Sequence, residues 1–260
     1  MAGFADGLPD WRDAAAYRPL LAADRAAFAW EWLRRDEAYR TAAAATLRAA
    51  LSGAEEPACW GLHAFVDPAL PAVLARPVWR LPDYPYVLEA VADPALSSAD
   101  AFELEKVRAL ATVLRSPSGP EHLLLSDGYH NIRLDIIGGS VAAGPVALGY
   151  RLCGFRTAQA PLLVLRRLLA LMLTGRFQRG LFPPDARAPR RILLLRAHDA
   201  LNAGARQRDI AEMLLSAEAR EPRWRLAAPS LRSRVQRLVR DARAMARGGY
   251  RLLLSAEAHR

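Results

Sequence analysis

The chain has 260 residues, of which 52% are hydrophobic and 24% are charged, and its formal net charge is +9. A chain of this length and hydrophobic content can bury a full core, which excludes an intrinsically disordered protein. The only cysteines, Cys59 and Cys153, form no CxxC pair. A disulfide framework and a cysteine zinc site are therefore excluded, and a reducing cytoplasm is the expected compartment.

Positive charge is concentrated in the second half of the chain. Residues 1–150 carry 13 basic and 19 acidic residues, whereas residues 151–260 carry 23 basic and 8 acidic residues. Lys106 is the only lysine, a bias typical of a GC-rich genome, so arginine in place of lysine carries little information by itself. The asymmetry predicts a polyanionic partner for the second half, nucleic acid or an anionic membrane surface. A solvated arginine-rich surface is the alternative.

The N-terminal part of the chain is predicted to be helical. Apolar residues recur at helical spacing over residues 10–51, until Pro57 ends the pattern. We expect a small N-terminal helical module at 8–56, followed by a Pro-rich connection at 57–100 with one short strand near 77–81. The first residues hold neither the basic nor the apolar segment of an export signal.

The remaining residues, 101–260, are predicted to form one domain that begins with strands. Residues 100–114 fit either a helix or a strand. Between 121 and 155, the segment EHLLLS is followed by the turn dipeptide Asp127-Gly128. The segments NIRLDII and VALGYRL then alternate apolar and polar residues on either side of a Gly-rich turn. This pattern predicts an antiparallel β meander over 121–155 and a fold of the α+β class that is mostly helical.

Helices are predicted over 161–174 and 190–246. The apolar run APLLVLRRLLALMLTG is interrupted by Arg166 and Arg167 and is too short to span a bilayer, so we expect a core helix and no membrane partner.

Within the second helical region, Gly204 is expected to end the first helix. A short helix with the sequence RDIAEML follows, with Ile210, Met213 and Leu214 on one face. A strand-like YRLLL segment, residues 250–254, follows the last predicted helix.

The segment PSLRSRVQRLVRDARAMARGG, residues 229–249, holds six arginines and one acidic residue, Asp241. As a helix with Ser230 as its N-cap, it has one continuous apolar stripe, formed by Leu231, Val235, Leu238, Ala242 and Met245. A second stripe, about 100° away, holds most of the polar residues: Arg232, Gln236, Arg240, Arg243 and Arg247, flanked by Arg234 and Arg237. Like charges at these spacings repel, so a partner that supplies negative charge is expected.

Three helices are predicted in sequence: a Gly-capped helix, a short RxIAxxL helix and a basic helix. This is the order of a helix-turn-helix, whose last helix enters the major groove. The connection between the second and third of these helices has about 12 residues, 217–228, instead of the usual 3–4 residues. This indicates a variant with an enlarged turn, in which Trp224 is expected to be a packing residue.

Double-stranded DNA is the expected partner of this region. The first residues of the basic helix would face base edges, where arginine pairs with guanine and glutamine with adenine: Ser230, Arg232, Ser233, Arg234 and Gln236. The other candidate DNA-binding residues, mostly suited to phosphates, are Arg206, Gln207, Arg208, Arg223, Arg225, Arg237, Arg240 and Arg243. About five neutralised phosphates would give a slope near −4.5 for log affinity against log salt.

Several of these segments together resemble one family of proteobacterial regulators. DWRDAAAYRPLLAADRAAFAWEWLRRDEAYR is similar to its N-terminal module, and PLLVLRRLLALMLTGRF, LRAHDALNAGARQRDIAEMLL and PSLRSRVQRLVRDARAMARGGYRLLL are similar to its C-terminal DNA-binding domain. The family contains RovC-like activators of type VI secretion and FseA-like activators of integrative and conjugative element transfer.

The resemblance implies a cytoplasmic, nucleoid-associated transcriptional activator that self-associates. It assigns the DNA role to the helix from Ser230 to Arg247. Some relatives that consist of the DNA-binding-type domain alone act as antiactivators by binding a protein, so this interaction role is the alternative function. Ala205 stands where such second helices often have Ser or Thr, which weakens the expected N-cap.

An enzyme is not expected, and neither is a cofactor or a metal. The five histidines have no metal-ligand spacing: His63, His122, His130, His198 and His259. GGSVAAGP lacks the Lys-Ser/Thr of a phosphate loop.

A protein-interaction module is the other alternative to a DNA-binding protein. Four N-terminal aromatics could dock RNA polymerase or another copy of the chain, and a small helical core is their alternative role: Trp11, Phe28, Trp30 and Trp32.

Overall fold

The computed structural model describes residues 7–48, 56–95, 97–115, 119–183 and 185–255. Helices predominate and are accompanied by a five-stranded sheet, so the predicted α+β, mostly helical class is confirmed. The domain boundaries inferred from the sequence stay predictions, and the end of the expected N-terminal module, residues 49–55, lies outside the described residues.

The elements follow one another with short 3-10 turns between them. The α-helices are α1 (Arg25–Leu33), α2 (Glu37–Arg48), α3 (Ala72–Ala75), α4 (Gln159–Thr174), α5 (Ala188–Asn202), α6 (Gln207–Leu214), α7 (Trp224–Ala227) and α8 (Pro229–Ala246). The strands are β1 (Leu88–Pro94), β2 (Ala111–Arg115), β3 (Glu121–Ser126), β4 (Asn131–Gly138) and β5 (Val146–Arg151).

The chain divides into two compact units. The helical unit comprises the described residues within Met1–Arg40, Pro68–Pro71 and Pro184–Leu253. The sheet unit comprises those within Thr41–Asp67, Ala72–Pro183 and Leu254–Arg260. The N-terminal helix α1 therefore shares a unit with α5, α6 and α8, which follow it by more than 150 residues.

Helix α1 forms the centre of the helical unit. Asp24 caps it by accepting a hydrogen bond from Ala27 N at 2.8 Å, and every residue from Ala26 to Leu33 is buried. Its sequence, RAAFAWEWL, is apolar on all sides, which is typical of a helix enclosed by neighbours. Helices α5 and α8 are among those neighbours.

The strands lie in the order β2-β3-β4-β1-β5. The predicted hairpin of β3 and β4 is confirmed: the two strands are antiparallel around Asp127-Gly128, and Gly128 has the positive φ of 95° that this turn needs. The predicted meander over 121–155 is wrong in its third strand. Strand β1 lies between β4 and β5. It runs parallel to β4 and antiparallel to β5.

Two further local predictions are wrong. The strand expected near residues 77–81 is reduced to one bridge between Leu62 and Trp79, and the neighbouring strand β1 was not foreseen. The strand-like YRLLL segment belongs to a 3-10 turn at Gly249–Leu253.

Helix α4 covers one face of the sheet. Val164, Leu168 and Leu171 pack with the inward residues of β3 and β4, such as Leu125 and Leu134. Gly175, with φ of 70°, ends the helix. Among the described residues, no helix has both the length and the apolar character that a bilayer crossing requires.

Candidate nucleic-acid interface

Helix α5 ends at Gly204 as the sequence predicts. Gly204 has a φ of 75°, its N–H bonds Leu201 O at 3.0 Å, and Ala205 N bonds Ala200 O at 2.9 Å. This pair of bonds is a Schellman motif, which satisfies the last carbonyls of α5 and turns the chain into α6.

Helix α6 starts without a Ser or Thr cap. Its N-cap is Arg206, whose backbone N–H is accepted by the Asp209 carboxylate at 2.9 Å. Ile210 and Ala211 are fully buried, whereas Met213 is 47% exposed. The prediction that Met213 shares the inner face is therefore wrong, because the buried face of this short helix centres on Ile210 and Ala211.

The enlarged turn between α6 and α8 is ordered by hydrogen bonds. The Arg208 guanidinium donates to Ala219 O at 3.0 Å and also to Arg220 O. Arg220 pairs with Glu212 of α6 at 2.7 Å. Trp224 is only 3% exposed, which confirms its expected role as a packing residue.

Helix α8 has one buried face, and that face contains most of the predicted apolar stripe. Leu231, Val235, Leu238 and Ala242 are buried, and Met245 is half-buried. Val239, absent from the predicted stripe, is also buried and widens it. The face packs on α5, α6 and α7.

The start of α8 differs from the prediction. Ser230 is not the N-cap: the helix begins at Pro229, and the cap residue is Ala228, which makes no side-chain cap bond. Proline suits the first helical position because its fixed φ fits and it has no N–H to satisfy. Ser230 is consequently exposed within the first turn.

The polar faces of α8 are open to solvent. The exposed candidates on this helix are Ser230, Arg232, Ser233, Arg234, Gln236, Arg237, Arg240 and Arg243, and Arg247 directly after the helix is exposed as well. Away from α8, Arg206, Arg208, Arg223 and Arg225 are exposed and Gln207 is half-buried. The candidates thus fall on α8, at the start of α6 and in the enlarged turn.

Carboxylates inside the protein neutralise little of this charge. Asp241, the only acidic residue of α8, pairs with Arg240 at 3.1 Å and with Arg190 of α5 at 2.9 Å. In the part of the chain that the structure describes, Arg232, Arg234, Arg237 and Arg243 make no ion pair. Their guanidiniums are therefore available to an external anion.

A buried polar network holds α5, which supports α8. Arg35 donates to both Asp199 carboxylate oxygens, at 2.7 and 2.8 Å, and to Glu31 Oε2 at 2.6 Å. The Tyr17 hydroxyl donates to Asp199 Oδ2 at 2.6 Å. Burial and the neighbouring Asp199 charge raise the pKa of Tyr17, so its hydroxyl stays protonated. Although burial opposes ionisation of Glu31, Arg35 and Arg34 outweigh it and lower the pKa of Glu31.

The N-terminal aromatics are core residues. Trp11, Phe28, Trp30 and Trp32 are each at most 3% exposed, so the helical-core interpretation is correct and these side chains do not form a docking surface. His198 contacts the Trp32 ring, with centroids 5.3 Å apart.

Two family comparisons match the chain. Residues 154–255 match the family described as the DNA-binding domain of a type VI secretion transcription factor. Residues 10–63 match the proteobacterial transcriptional regulator-like domain. No curated protein and no solved structure matches the chain significantly.

The DNA-binding match begins after β5 and contains all of α4, α5, α6, α7 and α8. The exposed arginines of α8 therefore lie inside a domain whose family binds DNA. Both matched families are families of transcriptional regulators and not of enzymes. The chain thus carries the two domains of a DNA-binding transcriptional regulator, and its DNA-binding domain is similar to that of the RovC-like transcription factors of type VI secretion.

Proposed function

We propose that this regulator recognises an operator by inserting α8 into the major groove. The observation that carries the proposal is a set of four exposed arginines that form no ion pair with any residue in the described ranges: Arg232, Arg234, Arg237 and Arg243. A helix whose opposite face is buried against α5, α6 and α7 can present such side chains as a rigid unit.

The first turns of α8 are the proposed base-reading segment. Arg232, Arg234 and Gln236 carry the guanidinium and amide groups that bind guanine and adenine edges, and Ser230 and Ser233 can donate or accept beside them.

Phosphate contacts are proposed for the surrounding arginines. Arg206 and Arg223 are exposed in the helical unit, and Arg225 lies over the Trp224 ring at 5.7 Å. Arg208 already donates to two backbone carbonyls and Arg240 contacts Asp241, so these two have fewer free donors than Arg243.

We propose activation as the sign of regulation, with secretion-system or mobile-element transfer genes as targets. The match to the regulator-like domain at residues 10–63 supports an activator, because the activating relatives named above carry such a module. A DNA-bound regulator would act at the nucleoid in the cytoplasm, where contact with RNA polymerase becomes possible.

Self-association is proposed through α4. Leu162, Leu169 and Leu173 are 41%, 44% and 83% exposed and follow one another at helical spacing. Such a stripe is more typical of an interface than of a solvated surface. Sedimentation velocity should show an oligomer that Leu169→Asp together with Leu173→Asp dissociates, and an unchanged oligomer would exclude this stripe.

The test of DNA recognition starts from genomic fragments that co-purify with the protein. Fluorescence anisotropy on such a fragment should show that Arg234→Ala and Arg237→Ala each weaken binding by about 1–3 kcal/mol, with unchanged thermal unfolding. Arg18→Ala is the matched control, because Arg18 is also an exposed arginine of the helical unit that forms no ion pair within the described part of the chain.

A different outcome would favour the alternative function. If both α8 variants bind DNA like the control, the exposed arginines serve a protein partner, and the chain acts as an antiactivator or oligomeric adaptor.

A further inference from the structure

The outer face of the β3–β4 hairpin carries a buried polar cluster. His122 of β3 lies directly opposite Asp135 of β4, and Arg133 is two residues away on β4. These three side chains are only 8%, 8% and 2% exposed. The alternating pattern of β4 would have put Arg133 and Asp135 in water, so another segment must cover them.

His63 is part of that cover. Its backbone N–H bonds Val78 O at 3.0 Å, next to the bridge between Leu62 and Trp79. Its ring stacks on the His122 ring with centroids 3.5 Å apart and planes 28° from parallel. The Nε2 atom of His63 is buried and has no hydrogen-bond partner among the described residues, which is costly for a polar atom unless something binds it.

The cluster offers three ligand atoms to a cation. One atom each from His63, His122 and Asp135 lies within 4.8 Å of the others. His122 Nδ1 contacts Asp135 Oδ1 at 2.5 Å and Arg133 contacts the same oxygen at 2.7 Å. Both of these contacts of Asp135 are made through Oδ1.

We propose that His63, His122 and Asp135 bind a Zn²⁺ ion, which fastens the segment around His63 to the β3–β4 hairpin. Two imidazoles, one carboxylate and a water complete the four-coordinate shell that Zn²⁺ prefers. Bringing the ligand atoms, now within 4.8 Å of one another, onto Zn–N bonds of about 2.0–2.1 Å requires rotation of the side chains. The Arg133 guanidinium repels the ion, which makes the site weaker than one built on thiolates.

The test uses the full-length protein without an affinity tag, stripped by a chelator and titrated with ZnCl₂ in a calorimeter. We expect one Zn²⁺ per chain and an affinity that falls at least about 10- to 100-fold in His63→Gln and in His122→Gln. His130→Gln is the matched control, because His130 also contacts a carboxylate, Asp127 Oδ2 at 2.8 Å, in the same unit. Absence of saturable binding, or wild-type binding by His63→Gln and His122→Gln, would overturn the proposal.

A second measurement covers the case in which a variant fails to fold. Co²⁺ added to the stripped wild-type protein should give the strong visible absorption of a tetrahedral complex, and Zn²⁺ should displace it. A spectrum identical to that of the aqueous ion would overturn the proposal without any variant.

Discussion

At the scale of single residues, the helical unit contains a network of buried charges. Arg35 and Asp199 form a two-bond ion pair with side chains only 1% and 6% exposed, and Glu31 and Tyr17 complete their hydrogen bonds. Removing one partner would leave an unpaired charge inside the protein, which costs far more than the pair itself contributes.

Asp199→Ala should therefore destabilise the protein by about 3–5 kcal/mol in urea unfolding. Asp241→Ala is the control: it removes the same side chain from an exposed pair with Arg190, and should cost about 0–1 kcal/mol. Equal losses of unfolding free energy in the two variants would mean that the buried ion pair contributes no more to stability than the exposed pair.

His63 should make stability depend on pH. Its pKa is about 6.5 when unfolded and about 4 in the folded protein, where His122, Arg133, Asp135 and Arg80 face it. Between these values the unfolded chain binds more protons, so stability should fall as the pH is lowered from 6.5 towards 4. Thermal unfolding in a chelator should show this fall, and His63→Gln should flatten it. The same pH profile in the wild type and in His63→Gln would refute the assignment of this pH dependence to His63.

The burial of a single residue can be predicted from the sequence only where the local pattern determines it. Trp224 was expected to pack, and it does. Arg133 and Asp135 stand at outward positions of a strand, yet both are buried because a segment some 70 residues earlier covers them. The local alternation of apolar and polar residues does not indicate that a distant segment covers these side chains.

At the scale of elements, α8 was the most predictable and the sheet the least. The 3.6-residue period placed Leu231, Val235 and Leu238 on the inner face. The cap was missed because Pro229 occupies the first helical position ahead of Ser230. Strand β1 comes from a Pro-rich segment and lies between β4 and β5. Strand order depends on pairing between distant segments, which turn residues do not encode.

The enlarged turn should depend on Trp224. Trp224→Ala removes a buried aromatic between α6 and α8 and should cost about 3–5 kcal/mol in chemical unfolding. Leu226→Ala is the control on the same short helix, because Leu226 is 77% exposed, and should change stability by no more than about 0.5 kcal/mol. A similar loss in both would show that the turn is not pinned by the indole.

At the scale of the whole molecule, nearly all of the net positive charge belongs to the helical unit. The segments of the helical unit carry 22 basic and 14 acidic residues, and those of the sheet unit carry 14 and 13. Several acidic residues of the helical unit are used internally, such as Glu31 and Asp199. The net positive charge thus resides in the unit that contains α8, as a DNA-binding unit requires.

Binding should consequently weaken steeply with salt. About five neutralised phosphates give a slope near −4.5 for log affinity against log salt, and Arg243→Ala should reduce its magnitude by about 0.9. Arg18→Ala should leave the slope unchanged. A wild-type slope near zero would contradict a phosphate-binding surface.

The most direct test of the central claim, that guanidiniums of α8 enter the major groove, is methylation interference at guanine N7 of the bound fragment. Methylation of specific guanines should abolish binding of the wild-type protein, because arginine pairs with N7 and O6 in that groove. In Arg234→Ala, interference should disappear at one guanine of the site while the others still interfere. Binding that is indifferent to N7 methylation, or an Arg234→Ala pattern identical to the wild type, would contradict the account.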